Sequence, residues 1–214
     1  MQAIMESLFD ILYLFFAIAT GLTLLRRGGS RLTVLLGAAS LVLGCGDAFH
    51  LIPRVMDYWL EGDFTALLGI GKLITSVTMT VFYLLLEYAR RERYGMQGEK
   101  GVLTAFWVLA ALRIALCLFP QNAWTSADAP VSWGIYRNLP FTVMGALSLI
   151  TWLRSARADR PLRLMWLAIL LSFLFYFPVV LWAQAVPIIG MLMLPKTYMY
   201  IWMLCVFRSA CRAQ

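Results

Sequence analysis

Residues 164–182 read LMWLAILLSFLFYFPVVLW, without one charged side chain. Wound as a helix at 1.5 Å per residue, the stretch is about 28 Å long, close to the thickness of a bilayer's hydrocarbon core. Working outward from it, runs of the same kind recur along the chain. The segments fall at roughly 8–25, 32–53, 64–88, 102–119, 131–153, 162–185 and 188–207. The whole chain is 62% apolar and 14% charged, with a mean hydropathy of +0.78. It lacks the long polar segments that would surround a buried soluble core. The expectation is an all-α fold: a polytopic bundle of seven transmembrane helices, forming one domain over residues 1–214. No basic stretch precedes the first run and no small-residue cleavage site follows it, so a cleavable signal peptide is not expected. The connections are short and no internal repeat stands out, which argues against the doubled architecture of many transporters.

Charge placement sets the expected orientation. Thirteen of the 18 Lys and Arg residues form four clusters: Arg26, Arg27 and Arg31; Arg90, Arg91, Arg93 and Lys100; Arg154, Arg157, Arg160 and Arg163; Arg208 and Arg212. These occupy alternate connections and the C-terminus. The other connections carry Asp57, Glu61, Asp63 and Asp128, and Glu6 and Asp10 lie near the N-terminus. The positive-inside rule then puts the N-terminus outside and the C-terminus in the cytoplasm, in the inner membrane if the cell is bacterial. The net charge of +7 is mostly this inner belt. Its expected partners are membrane lipids with anionic headgroups. No nucleic-acid motif is present. With short loops and no soluble output domain, a signal would pass through a cytoplasmic protein partner or a second copy of the chain. Cys45, Cys117, Cys205 and Cys211 form no CxxC pair and read as free thiols, Cys45 and Cys117 as core packing.

Four cations lie inside the hydrophobic runs, Lys72, Arg113, Arg137 and Lys196, and Arg54 sits at the outer edge of one. A cation at membrane depth costs several kcal/mol unless paired or solvated, so each marks a functional site by default. Counting from helix centres places Asp47 about 7 Å outward, His50 about 12 Å, Lys72 about 6 Å, Arg113 about 3 Å, Arg137 about 8 Å and Lys196 about 3 Å. All occupy one slab in the outer half. Asp47, His50 and Arg54 follow i, i+3, i+7 and form a stripe; Lys72, Ser76, Thr80 and Tyr83 form another. Asn138, Tyr176, Gln184, Tyr198 and Tyr200 lie near the same level. Pro140, Pro178 and Pro195 are expected to interrupt or kink helices there and free carbonyls toward a cavity.

One anion, Asp47, opposes the cations, and its simplest partner is Lys72. The surplus points to a pocket for an anionic lipid or lipid-like molecule, with Arg54, Lys72, Arg113, Arg137, Asn138, Tyr176, Lys196 and Tyr198 as binding residues. Binding without chemistry, as receptor, sensor or carrier, stands beside an alternative, a membrane lipid hydrolase. Asp47 and His50, the only histidine, are the catalytic candidates. Two ligands are too few for a catalytic metal, and no cofactor is expected.

The segment from Leu43 through Gly46-Asp47 and Phe49-His50 to Arg54 resembles the Gly-Asp segment of the lysoplasmalogenase family of membrane hydrolases. That resemblance covers residues 43–54 and implies a catalytic carboxylate at Asp47. Phe49-His50 is also similar to the Phe-His step of the ceramidase and progestin-receptor-like superfamily of seven-helix zinc hydrolases. There the last helix supplies two further histidines, which this chain lacks, and Gly46 stands in place of a serine. The topology, the segment Tyr176-Phe177-Pro178 through Trp182, and Lys196 on the last helix resemble microbial rhodopsins. This likeness implies retinal on Lys196. Lys72 and Ser76 stand where that family places its counterion carboxylates.

Overall fold

A computed structural model describes residues 2–96 and 99–212. Seven long helices follow one another: α1 (Gln2–Arg27), α2 (Arg31–Trp59), α3 (Thr65–Tyr94), α4 (Lys100–Leu118), α5 (Val131–Ser155), α6 (Met165–Trp182) and α7 (Met193–Arg212). Short 3-10 turns, Pro120–Asn122 and Pro187–Leu192, precede α5 and α7. No strand occurs among the described residues. Six helices are long and apolar enough to cross a membrane. The remaining one, α5, has 25 residues, but Arg137, Asn138 and Pro140 lower the hydropathy of its first half.

Each helix packs against the next in sequence, and α1 closes the ring onto α7. Polarity is arranged inside out. Large apolar side chains such as Leu8, Phe15, Trp107, Leu112, Leu139 and Leu174 cover the outer surface, while Arg113, Asn138 and Lys196 are buried. In water that surface would be a severe liability; against lipid it needs no partner. The interior is filled by Leu36, Leu43, Phe82, Leu86, Phe106, Met144, Trp152 and Phe207.

The most extensive contact is between α2 and α3. Glycines allow it. A Cβ on Gly46 would overlap Thr78, and one on Gly71 would overlap the carbonyl of Phe49. The second contact depends on a proline. Pro53 lies inside α2 and has no N–H for the carbonyl four residues back, that of Phe49. The side-chain-free face of Gly71 covers this freed carbonyl. Hence α2 runs on to Trp59 and does not stop near 53, as the sequence suggests.

The other prolines do not interrupt their helices. α5 continues through Pro140 and α6 through Pro178. Pro195 sits in the first turn of α7, where backbone N–H groups have no helical acceptor and a missing one costs nothing. The break in the chain falls instead at residues 183–192, between α6 and α7.

Polar locks hold both ends of the bundle. At the N-terminal end, Glu6 accepts hydrogen bonds from Arg54 and from the Tyr58 hydroxyl, and Trp59 donates to Ser7 at 3.0 Å, tying α1 to the end of α2. In the connection that follows, Asp63 accepts the Thr65 N–H at 2.9 Å; bonding to Thr65 holds its carboxyl below the usual carboxylate range. At the opposite end, Arg90 is gripped by both oxygens of Glu87 at 2.8 Å, and it also reaches Glu99 and Ser155 at 2.8 Å. Arg93 and Tyr94 both donate to Asp159, at 2.9 and 3.0 Å. Cys117 is buried as expected, but Cys45 is exposed on the outer face of α2, so it is not core packing.

Candidate functional site

A cavity of about 690 Å³ opens at the N-terminal end of the bundle. Its walls come from α2 to α7 with Glu6 of α1, and His50, Arg54, Lys72, Arg113, Arg137, Asn138, Tyr176 and Lys196 all line it. Eight of the ten site residues expected from sequence therefore meet in one place. Below the cavity an aromatic cluster closes the bundle. Phe141 contacts Phe173 at 5.1 Å and Tyr83 at 5.3 Å, and Phe82 bridges Tyr83 and Tyr200 at 5.5 and 6.0 Å. Gly145 leaves the space that the Phe173 ring occupies.

Three of the four cations, all but Lys72, rest on an aromatic face. The Arg113 guanidinium lies 3.4 Å from the ring centre of Phe141. Arg137 lies 4.2 Å from that of Trp124, and Lys196 Nζ lies 4.5 Å from Tyr176 and 5.5 Å from Tyr200. Such contacts hold a cation in place without neutralising it. Among the described residues, no carboxylate comes within 4.0 Å of Lys72, Arg113, Arg137 or Lys196. Arg113 is the extreme case. It is 2% exposed, and its Nε and Nη1 have no hydrogen-bond partner. A buried guanidinium with unused donors is costly to maintain and is shaped for a bidentate anion.

Neutral polar groups in the walls behave differently. Tyr176 donates to Asn138 Oδ1 at 2.9 Å, and Asn138 Nδ2 donates to the Gly134 carbonyl at 2.8 Å. Ser76 and Thr75 bond backbone carbonyls within α3 and on α2, and Trp124 Nε1 bonds the Cys117 carbonyl. Asn122 is the residue that sequence reasoning undervalued. Fully buried, it donates to the carbonyls of Leu116 and Phe119 at the end of α4 and accepts from Arg137 Nη1 at 2.8 Å. Its signal was available: an Asn between a proline turn and a tryptophan, just after a helix end that leaves carbonyls open.

Two site residues depart from expectation. Asp47 does not line the cavity and does not pair with Lys72. Its Oδ2 accepts a 2.6 Å hydrogen bond from Tyr13 on α1. The helix turn from Asp47 to His50 is wide enough for the two side chains to face different neighbours, so the stripe divides: Asp47 turns to α1, while His50 and Arg54 turn to the cavity. The positive field of Lys196 still reaches Asp47. Tyr198 is 60% exposed on the outside of α7 and takes no part in the cavity; Tyr200, buried under Lys196, takes the inward place. No group of three His, Cys, Asp or Glu residues able to hold a metal occurs among the described residues. His50 Nδ1 is buried and has no hydrogen-bond partner.

Comparison of the chain with protein-family models, with characterised proteins and with solved structures found no match in any of the three.

Proposed function

We propose that this chain is an integral membrane protein that binds an anionic lipid or lipid-like molecule in the cationic cavity, as a receptor, sensor or carrier. Seven helices cross the bilayer, the N-terminus lies outside and the C-terminus in the cytoplasm, so the cavity sits in the outer half. α5 is the seventh crossing. Its polar residues face the cavity, whereas Ile135, Leu139, Val143 and Ile150 form an exposed apolar stripe for lipid. The observation that carries the reading is Arg113, buried at the cavity floor with open donors and no carboxylate beside it. Mixed aromatic and aliphatic walls, Val179, Val180, Leu181 and Met193 among them, suit an amphiphile better than a bare inorganic ion.

The test is to purify the protein in mild detergent and identify what it retains by native mass spectrometry with lipid extraction. An anionic lipid retained by the wild type and lost from Arg113→Ala and Arg137→Ala supports the reading. Folded variants that match an empty wild type would end it. Asp47→Asn separates binding from catalysis. Because Asp47 faces Tyr13 and not the cavity, the variant is expected to retain the same lipid within about twofold, the size of a modest electrostatic change. Lysolipid hydrolysis by the wild type that vanishes in Asp47→Asn would put the hydrolase alternative in its place.

A further inference from the structure

The cavity reading leaves the chemistry of the anion open, and the charges of the walls narrow it. Lys72, Arg113, Arg137 and Lys196 bring four positive charges from α3, α4, α5 and α7. Their fields overlap: Arg137 acts on Lys72 and on Arg113, and Arg113 acts on Lys196. Behind the wall stand two buried carboxylates, Asp47, reached by Lys196, and Asp10 near it. Arg54 is paired with Glu6, and Asp57 is exposed to solvent at the mouth, where its charge is screened. Counted over the lining alone, Arg54, Lys72, Arg113, Arg137 and Lys196 stand against Glu6 and Asp57, five positive charges and two negative, a surplus of three.

A carboxylate would cancel one of these, and a phosphate monoester about two at neutral pH. A second phosphoryl group raises the charge to about three, on the same count. Donor supply points the same way. Arg113 offers Nε and Nη1, and the two lysine ammonium groups are free of carboxylates, more donors than one small carboxylate can accept. The neutral polar side chains Asn122, Asn138, Tyr176, Ser76, Thr75 and Trp124 are already bonded within the protein. A sugar or glycerol head would find few partners, because the open donors are almost all cationic.

We propose that the ligand's head is a diphosphate, carried as the monoester of an apolar alcohol. This rests on the anion-pocket reading and sharpens it. The diphosphate spans the four cations, and the apolar chain leaves past Val179, Val180 and Leu181 on α6.

The full chain in mild detergent is titrated, by native mass spectrometry and by ligand-dependent thermal shift, with five probes. These are geranylgeranyl diphosphate, geranylgeranyl monophosphate, geranylgeraniol, oleate and inorganic pyrophosphate. Geranylgeranyl diphosphate is expected to bind at least tenfold more tightly than the monophosphate and at least 100-fold more tightly than oleate, with no binding of the alcohol. Lys72→Gln, at an exposed position that should fold, is expected to narrow the diphosphate-to-monophosphate ratio. Arg113→Met, which keeps the apolar stem, is expected to weaken both. Inorganic pyrophosphate binding as tightly as the prenyl diphosphate would support the diphosphate head and remove the lipid chain. Monophosphate or oleate binding as tightly as the diphosphate would overturn this inference and leave the anion pocket standing. Failure of every anionic probe to bind a folded wild type would overturn the pocket reading itself.

Discussion

Glu87→Ala is expected to cause a loss of stability as large as truncating a buried core residue. Glu87 and Arg90 are each 1% exposed, one turn apart on α3, and joined by two parallel 2.8 Å hydrogen bonds. Removing the carboxylate leaves a guanidinium buried beside Ser155, with only the half-exposed Glu99 to oppose it. Breaking a buried pair from one side costs roughly 3–5 kcal/mol, because the surviving charge cannot regain its hydration. Glu99 offsets part of this, so about 3 kcal/mol is the expected loss. The double replacement Glu87→Leu with Arg90→Met removes both charges and keeps apolar volume, and should recover most of it. Thermal unfolding in detergent, followed by tryptophan fluorescence, reads all three proteins. A midpoint for Glu87→Ala within a degree of the wild type would show that the pair contributes nothing.

Gly71→Val is expected to combine a comparable loss of stability with loss of anion binding. Here the cause is steric. The Phe49 carbonyl occupies the place where a Cβ would stand, and this is backbone, which cannot swing aside. Overpacking a tight contact costs about 1–3 kcal/mol where side chains can yield, and more where they cannot. Separating α3 from α2 also displaces Lys72, the next residue, from the cavity wall. Gly101→Ala is the control. Its Cβ would meet nothing within 4 Å, so it should be neutral or stabilising by up to about 1 kcal/mol. Equal stability and binding in Gly71→Val and the wild type would mean that the helices are not so close.

Much of this architecture was legible in the sequence because lipid imposes a simple rule. Seven apolar runs could only be helices, and six of the seven long helices have the length and hydropathy to cross. The buried cations were legible for the same reason, since their cost is visible without coordinates. Direction within a turn was not. Asp47 and His50 share a stripe on paper, yet Tyr13 draws the aspartate toward α1, and nothing in the spacing of α2 foretells a partner 34 residues away. The C-terminal end of α3 was misjudged because Arg90 and Arg91 read as the start of a solvated loop. Pairing of Arg90 with Glu87 lets the helix continue to Tyr94 with both arginines buried. Pro53 misled in the same way, because its cost falls on one carbonyl, and Gly71 shelters that carbonyl on a neighbouring helix.

Of the helices that line the cavity, α3 alone combines great length with an unbroken interior: 30 residues without a proline, against prolines inside α2, α5 and α6. Lys72 at one end and Arg90 at the other are separated by about 27 Å of continuous hydrogen-bonded backbone. A rod of that kind transmits displacement with little absorption. If an incoming anion pulls Lys72 sideways, the far end must tilt too, and there it is anchored to the α4 start by Glu99 and to α5 by Ser155. On the proposed binding reading, that anchor is the fulcrum of a lever, and occupancy at one end of α3 would be felt at the other without any moving gate.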